Sequence, residues 1–137
     1  MRNYEVFSTT ADTGIRFKGR DFHGLYENAL RGLNLLLFGS HPRRTHGDDS
    51  FHFSYSGDGP ENVLVNFLAE VLFLAYQKKK QVHALDFIHA DDCRLEAWLR
   101  LAPCLSVPKV DIKSVTYHNL RLVEKAGMKQ AAVIFDI

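Results

Sequence analysis

The sequence is poor in cysteine, in long apolar runs and in excess charge of either sign. Cys93 and Cys104 are its only cysteines in 137 residues. Two thiols cannot hold together a disulfide scaffold, and they lack the paired CxxC spacing of a structural zinc site. They are expected to be reduced and mostly buried. No run approaches the ~20 apolar residues that a membrane span needs. The most apolar stretches, Leu33 to Phe38 and Val63 to Ala75, are short or interrupted by Asn66 and Glu70. No membrane partner is therefore expected. Met1 to Thr10 holds one Arg and no apolar core, so no signal peptide is read there, and the expected compartment is cytoplasmic. Seventeen basic residues against sixteen acidic ones leave a net charge of +1. That balance argues against a protein whose own field captures nucleic acid, and no direct sequence-specific nucleic-acid binding is expected. GxGxxG, P-loop, HExxH and GxSxG motifs are all absent, so the chain is not expected to be an enzyme.

What is present is the composition of one folded domain over residues 1–137. Hydrophobic residues make up 46% and charged residues 24%, enough apolar surface to offset conformational entropy. Two segments have helical period. In the first, about Phe22 to Phe38, the residues Tyr26, Ala29, Leu30, Leu33, Leu36 and Leu37 make one apolar stripe, with Asp21 as N-cap and Gly39 just past the end. In the second, about Glu61 to Lys78, Leu64, Phe67, Leu68, Val71, Leu72 and Ala75 repeat that spacing. Pro60 opens it, and Lys78 to Lys80 suit the negative end of its dipole. Most of the remainder alternates as strands do, around 15–17, 51–55, 95–101, 112–117, 120–124 and 131–137. Ala90-Asp91-Asp92 and Lys125-Ala126-Gly127 read as turns between strands. The expected fold is α+β: order ββαβα, then about five strands, mostly antiparallel, with the two amphipathic helices each packed on a sheet face.

Seven histidines raise the question of a metal site. His41 and His46 share a polar loop, and His83 and His89 share one face of an expected strand. Neither pair has the helical spacing of a metal motif, so solvated or capping roles are expected. Three other segments carry oxygen donors or charge. Asp12 lies between two expected strands beside Gly14. Asp111 to His118 opens a strand with an acid and a lysine. Asp136 sits one residue from the Ile137 carboxylate. Were strand pairing to gather Asp12, Asp136 and that carboxylate, the set would suit a hard cation such as Ca²⁺ or Mg²⁺.

Tyr4-Glu5, Thr10-Ala11-Asp12-x-Gly14, Lys113-x-Val115-Thr116-Tyr117-His118 and the final Val133-Ile134-Phe135-Asp136-Ile137 together resemble the archease family, over nearly the whole chain. Glu27-Asn28-Ala29 fits as well. Where the family usually reads Asp-His before Thr-Ala-Asp, this chain has Ser8-Thr9. The resemblance implies a small cytoplasmic, non-enzymatic accessory protein. Its client would be an RtcB-type RNA ligase of tRNA splicing and RNA repair, which it helps to become guanylylated and turn over repeatedly. A chaperone role towards a tRNA methyltransferase is the alternative it implies. It further implies a divalent cation, Ca²⁺ first and Mg²⁺ or Mn²⁺ as alternatives, held by Asp12, Asp136 and the carboxylate of Ile137. Lys113, with Tyr117 and His118 of the same motif, would act on the partner.

Overall fold

The structure, a computed structural model, describes residues 3–45 and 49–137. His46, and with it the shared-loop pair it forms with His41 in the sequence, lies outside the described residues. Strands β1 (Tyr4–Ser8) and β2 (Thr13–Gly19) precede helix α1 (Phe22–Phe38). Strand β3 (Ser50–Ser56) leads to helix α2 (Pro60–Gln77). Five strands follow: β4 (Lys80–Ala90), β5 (Arg94–Pro103), β6 (Ser114–Val115), β7 (Val123–Lys125) and β8 (Met128–Asp136). Every pairing is antiparallel. One sheet runs β1-β2-β8-β6, with β7 also on β8, and a second runs β3-β5-β4. This is the expected α+β order.

Local chemistry sets the helix ends. The Asp21 carboxylate accepts the N–H of Gly24 at 2.8 Å, which satisfies one of the orphan donors of the first turn. Gly39 ends α1 at φ 81°, a left-handed conformation that costs a residue without Cβ nothing, and its N–H returns to Leu35 O. Pro60 starts α2 where its missing N–H is no loss. The Lys79 ammonium donates to the Tyr76 carbonyl, taking up one of the last carbonyls of α2.

Helix α1 buries more than one stripe. Asn28 and Asn34 go under with the leucines because α1 lies against the first sheet and also reaches β4 of the second. Their amides offset that burial by donating to main-chain carbonyls, Asn28 to Lys18 at 2.7 Å and Asn34 to Val82 at 2.9 Å. Tyr26 of α1, Phe67 of α2 and Phe53 of β3 stack edge-on at 6.1 and 5.9 Å and join the two layers into one core.

Four expectations need correction. The strand expected over 112–117 is two residues long, because the chain turns out of the sheet at once: His118 N–H reaches Thr116 Oγ1, Leu120 N–H reaches Tyr117 O, and Asn119 adopts φ 55°. For the same reason the strand expected over 120–124 starts only at Val123. The cysteines are not mostly buried. Cys93 is exposed at the β4–β5 turn and Cys104 is half-buried just past β5, since both fall where the chain leaves the sheet. His83 and His89 do not behave as a pair. Bulges in β4 between Val82 and Ala84 and between Phe87 and His89 break the alternation. His83 is buried, and His89 bonds Asp91 at the turn.

Candidate functional site

The pairing of β2 with β8 decides what meets at one end of the first sheet. Thr13 lies opposite Phe135, so the residues just beyond, Asp12 and Asp136, arrive at the same end. On the far side of β8, Ser114 lies opposite Asp136 and Val115 opposite Phe135. That register continues beyond the short strand at both ends: Lys113 N–H donates to Asp136 O at 2.7 Å and Thr116 N–H to Ile134 O at 3.1 Å. Three segments distant in sequence, 11–13, 116–118 and 134–137, thereby share one concavity of about 330 Å3. Asp12, Asp136, Ile137 and His118 all line it. No ion pair takes up either aspartate among the described residues.

The turn that presents Asp12 is built by Thr9. Its hydroxyl accepts the N–H groups of Asp12 at 2.9 Å and Ala11 at 3.2 Å, and its own N–H donates to Asp12 O at 2.8 Å. This is a side-chain-closed turn, in which a short hydroxyl does the work of a backbone carbonyl. Thr9 had drawn notice in the sequence only as a departure from the family's Asp-His. A hydroxyl three residues before an aspartate in a turn was the signal. Gly14 follows from crowding. A Cβ there would lie 2.2 Å from Val133 O and 2.6 Å from the Phe7 ring. Of the two threonines that line the concavity, Thr13 carries no role in the sequence reading and Thr116 enters it only as a member of the lysine motif.

Two residues of the lysine segment stand apart from this concavity. Lys113 is exposed and joined to Asp136 through its main chain; it is not among the lining residues. Tyr117, 53% exposed, turns its hydroxyl to α2, where it accepts from Asn62 Nδ2 at 2.8 Å; Asn62 Oδ1 in turn accepts from Tyr55. Tyr117 thus ties the lysine segment to the second layer.

The sequence model of the Archease protein family (MTH1598/TM1083) matches residues 4–137. The chain belongs to the Archease family. Two archeases are similar to it from end to end: that of Sulfurisphaera tokodaii is 23% identical, covering all of both chains. That of Thermoplasma acidophilum is 26% identical, over 98% of this chain and 94% of its own. Two solved structures share the fold. A solution structure of a Methanobacterium thermoautotrophicum protein superposes with a TM-score of 0.70 at 22% identity, covering all of both chains. A crystal structure from Thermotoga maritima, of an archease described as a possible chaperone, gives 0.66 at 18% identity, over 96% of this chain and 94% of that one. Among the described residues of this archease, no helix is long and apolar enough to cross a membrane.

The donors fit a hard cation. Two carboxylates and the main-chain carboxylate of Ile137 are all-oxygen ligands of the kind Ca²⁺ takes, and the threonine hydroxyls of the rim add neutral oxygens. His118 stands beside them but bonds locally: its Nε2 lies 3.2 Å from Asn119 Nδ2.

Proposed function

We propose that this archease is a non-enzymatic accessory factor of an RtcB-type RNA ligase, and that the Asp12–Asp136 end of the first sheet is the part it presents to that enzyme. The observation that carries the reading is the gathering of Asp12, Asp136 and Ile137, from the two ends of the chain, on one concavity. Asp12, Asp136 and the Ile137 carboxylate would hold a divalent cation, Ca²⁺ by their all-oxygen character. A bound cation supplies charge that can be set against nucleotide phosphates. The chain's own residues orient these groups. Thr9 closes the turn behind Asp12, and the Lys113 N–H fixes the carbonyl of Asp136. The side chain of Lys113, exposed on the segment whose main chain bonds Asp136, would offer a point charge to a phosphate or to an acidic group of the client.

The test is a multiple-turnover ligation assay with an RtcB-type ligase of the same source, GTP and a divalent metal. Added archease should raise product per ligase, and it should make none alone. Equal product with and without it rejects the ligase as client. Calorimetry tests the cation separately: Asp12→Asn, which replaces an anionic ligand with a neutral amide, should weaken Ca²⁺ binding. Equal binding by wild type and variant removes Asp12 from the site.

A second reading rests on another surface. Leu105 and Val107 are 96% and 84% exposed in the loop after β5. Apolar side chains in such a position suit a chaperone that docks on a client such as a tRNA methyltransferase without using a metal. Leu105→Ser with Val107→Ser would abolish that docking in a pull-down and leave Ca²⁺ binding intact.

A further inference from the structure

At the other end of the β1–β2 hairpin lies a second cavity, which the ligase reading does not use. Tyr4 pairs with Phe17 at the open end of that hairpin, whereas Asp12 sits at its closed end. Beside Tyr4, α1, residues 41–44 and residues 83–85 of β4 enclose about 440 Å3. That volume falls in the ~300–1,000 Å3 range of small-ligand sites.

Its walls concentrate positive charge. Arg31, Arg43 and Arg44 all line it, and Glu27 is the one carboxylate among the described lining residues. Arg44 is held by both oxygens of Asp86, at 2.7 and 2.8 Å, but Asp86 also pairs with Arg100, so one carboxylate serves two guanidinium groups. Arg31 donates to Asn28 Oδ1 at 2.8 Å and comes within 3.6 Å of Glu27. No ion pair holds Arg43 among the described residues.

Two imidazoles complete the wall, and both are held by hydrogen bonds. His41 Nδ1 lies 3.0 Å from the Asn34 amide nitrogen, which also donates to Val82 O, so this imidazole nitrogen accepts. His83 Nδ1 accepts the Thr45 N–H at 3.4 Å, and its Nε2 lies 3.2 Å from the Thr45 hydroxyl. Burial, then the Arg31 charge, pulls the His41 pKa down to about 4, though a bond to the His83 carbonyl opposes this. Burial, then Arg44 and Arg100, lowers that of His83, against the opposing pull of Asp86. The cavity thus keeps its imidazoles neutral while three guanidinium groups crowd it. Arg43 alone of the three has no ion-pair partner among the described residues, an anion would supply one, and a guanidinium fork matches phosphate oxygens in pairs.

We propose that this cavity binds a small phosphate monoester, its phosphate between Arg31 and Arg43 and its organic part against Tyr4, Pro42 and Leu30. The volume exceeds what a lone phosphate fills, and the apolar part of the lining has no role in holding an oxyanion. The inference is independent of the ligase reading, because no residue of the Asp12 end takes part.

The test is an amide-resolved NMR titration of the full chain with AMP, inorganic phosphate and adenosine as probes. AMP should give saturable shifts confined to residues around 31, 41–45 and 83–85. Inorganic phosphate should shift the same amides more weakly, and adenosine should shift none. Arg43→Gln, at an exposed position, should weaken AMP binding about tenfold, the loss of one charge-assisted contact, without lowering the melting temperature. Arg31→Gln should do the same, and Arg43→Gln keeps the test valid should loss of the Asn28 bond disturb α1. Absence of saturable shifts at millimolar AMP overturns the proposal. So does adenosine binding as well as AMP, or an unchanged AMP affinity in Arg43→Gln.

Discussion

Lys113 donates its main-chain N–H to the carbonyl oxygen of Asp136 at 2.7 Å. A residue singled out for its charge is therefore also a rung of the sheet, and the two roles separate by substitution. Lys113→Ala keeps the rung and removes the ammonium. It should lower ligase stimulation several-fold with an unchanged melting temperature. Lys113→Pro removes the N–H as well, and should also destabilise the domain, by about 1 kcal/mol or more for an unmade bond. Thermal melts beside the ligation assay distinguish the two. Equal stimulation by Lys113→Ala and wild type would show that only the backbone of this residue matters.

Thr9 makes a similar case on the opposite strand pair. Its hydroxyl accepts two N–H groups of the turn that presents Asp12. Thr9→Val keeps shape and loses both bonds. It should cost about 1 kcal/mol and weaken Ca²⁺ binding in calorimetry through disorder of the Asp12 turn. Thr9→Ser should retain both properties. If Thr9→Val binds Ca²⁺ as wild type does, the turn is not what positions the ligand.

Leu68 of α2 is fully buried. Leu68→Ala should cost ~2–5 kcal/mol, as large-to-small core changes do, read from chemical denaturation. An unchanged midpoint would mean that this stripe does not face the core.

Acid should destabilise the domain in a window set by His41. An imidazole titrates near ~6.5 in the unfolded chain, against about 4 in the fold. Between those values the unfolded chain binds more protons, so this contribution is complete above about pH 6.5 and is lost as pH falls towards 4. His83, shifted the same way, adds to that slope. Asp86 is held below the usual carboxylate range, first by the Arg100 hydrogen bond, so its share is lost only in more acidic solution. His41→Gln should flatten the decline in melting temperature between about pH 7 and pH 5. An equal decline in both proteins would place the titrating group elsewhere.

Some of this was legible in the sequence because it is local. Asp21 and Gly39 bound α1, and Pro60 opens α2, where the periodicity of the chain placed them. Each depends on backbone groups within a turn of its own position. Lys125-Ala126-Gly127 was legible for the same reason: Ala126 and Gly127 take φ 54° and 76°, the paired left-handed values of a tight hairpin that join β7 to β8. The lysine segment was misread because alternation over 112–117 continues in sequence after the chain has left the sheet. Alternation reports which side chains could share a face; it does not report whether a neighbouring strand is there to pair with.

The same distinction divides the two cavities. The sequence alone determined the motif residues Asp12, Lys113 and Asp136, together with the order of helices and strands, since both are written in short spacings. Only the tertiary structure decided that Asp12 and Asp136 share an end of one sheet, because that follows from the β2–β8 register across more than a hundred residues. The Arg31–Arg43–His83 cavity was decided at that level too. Arg43 and Arg44 belong to the polar loop that follows α1 in the sequence, and His83 reads there as one of a strand pair. A bulge in β4, the width of α1's buried face and the course of residues 41–45 bring them together, and no spacing along the chain encodes that meeting.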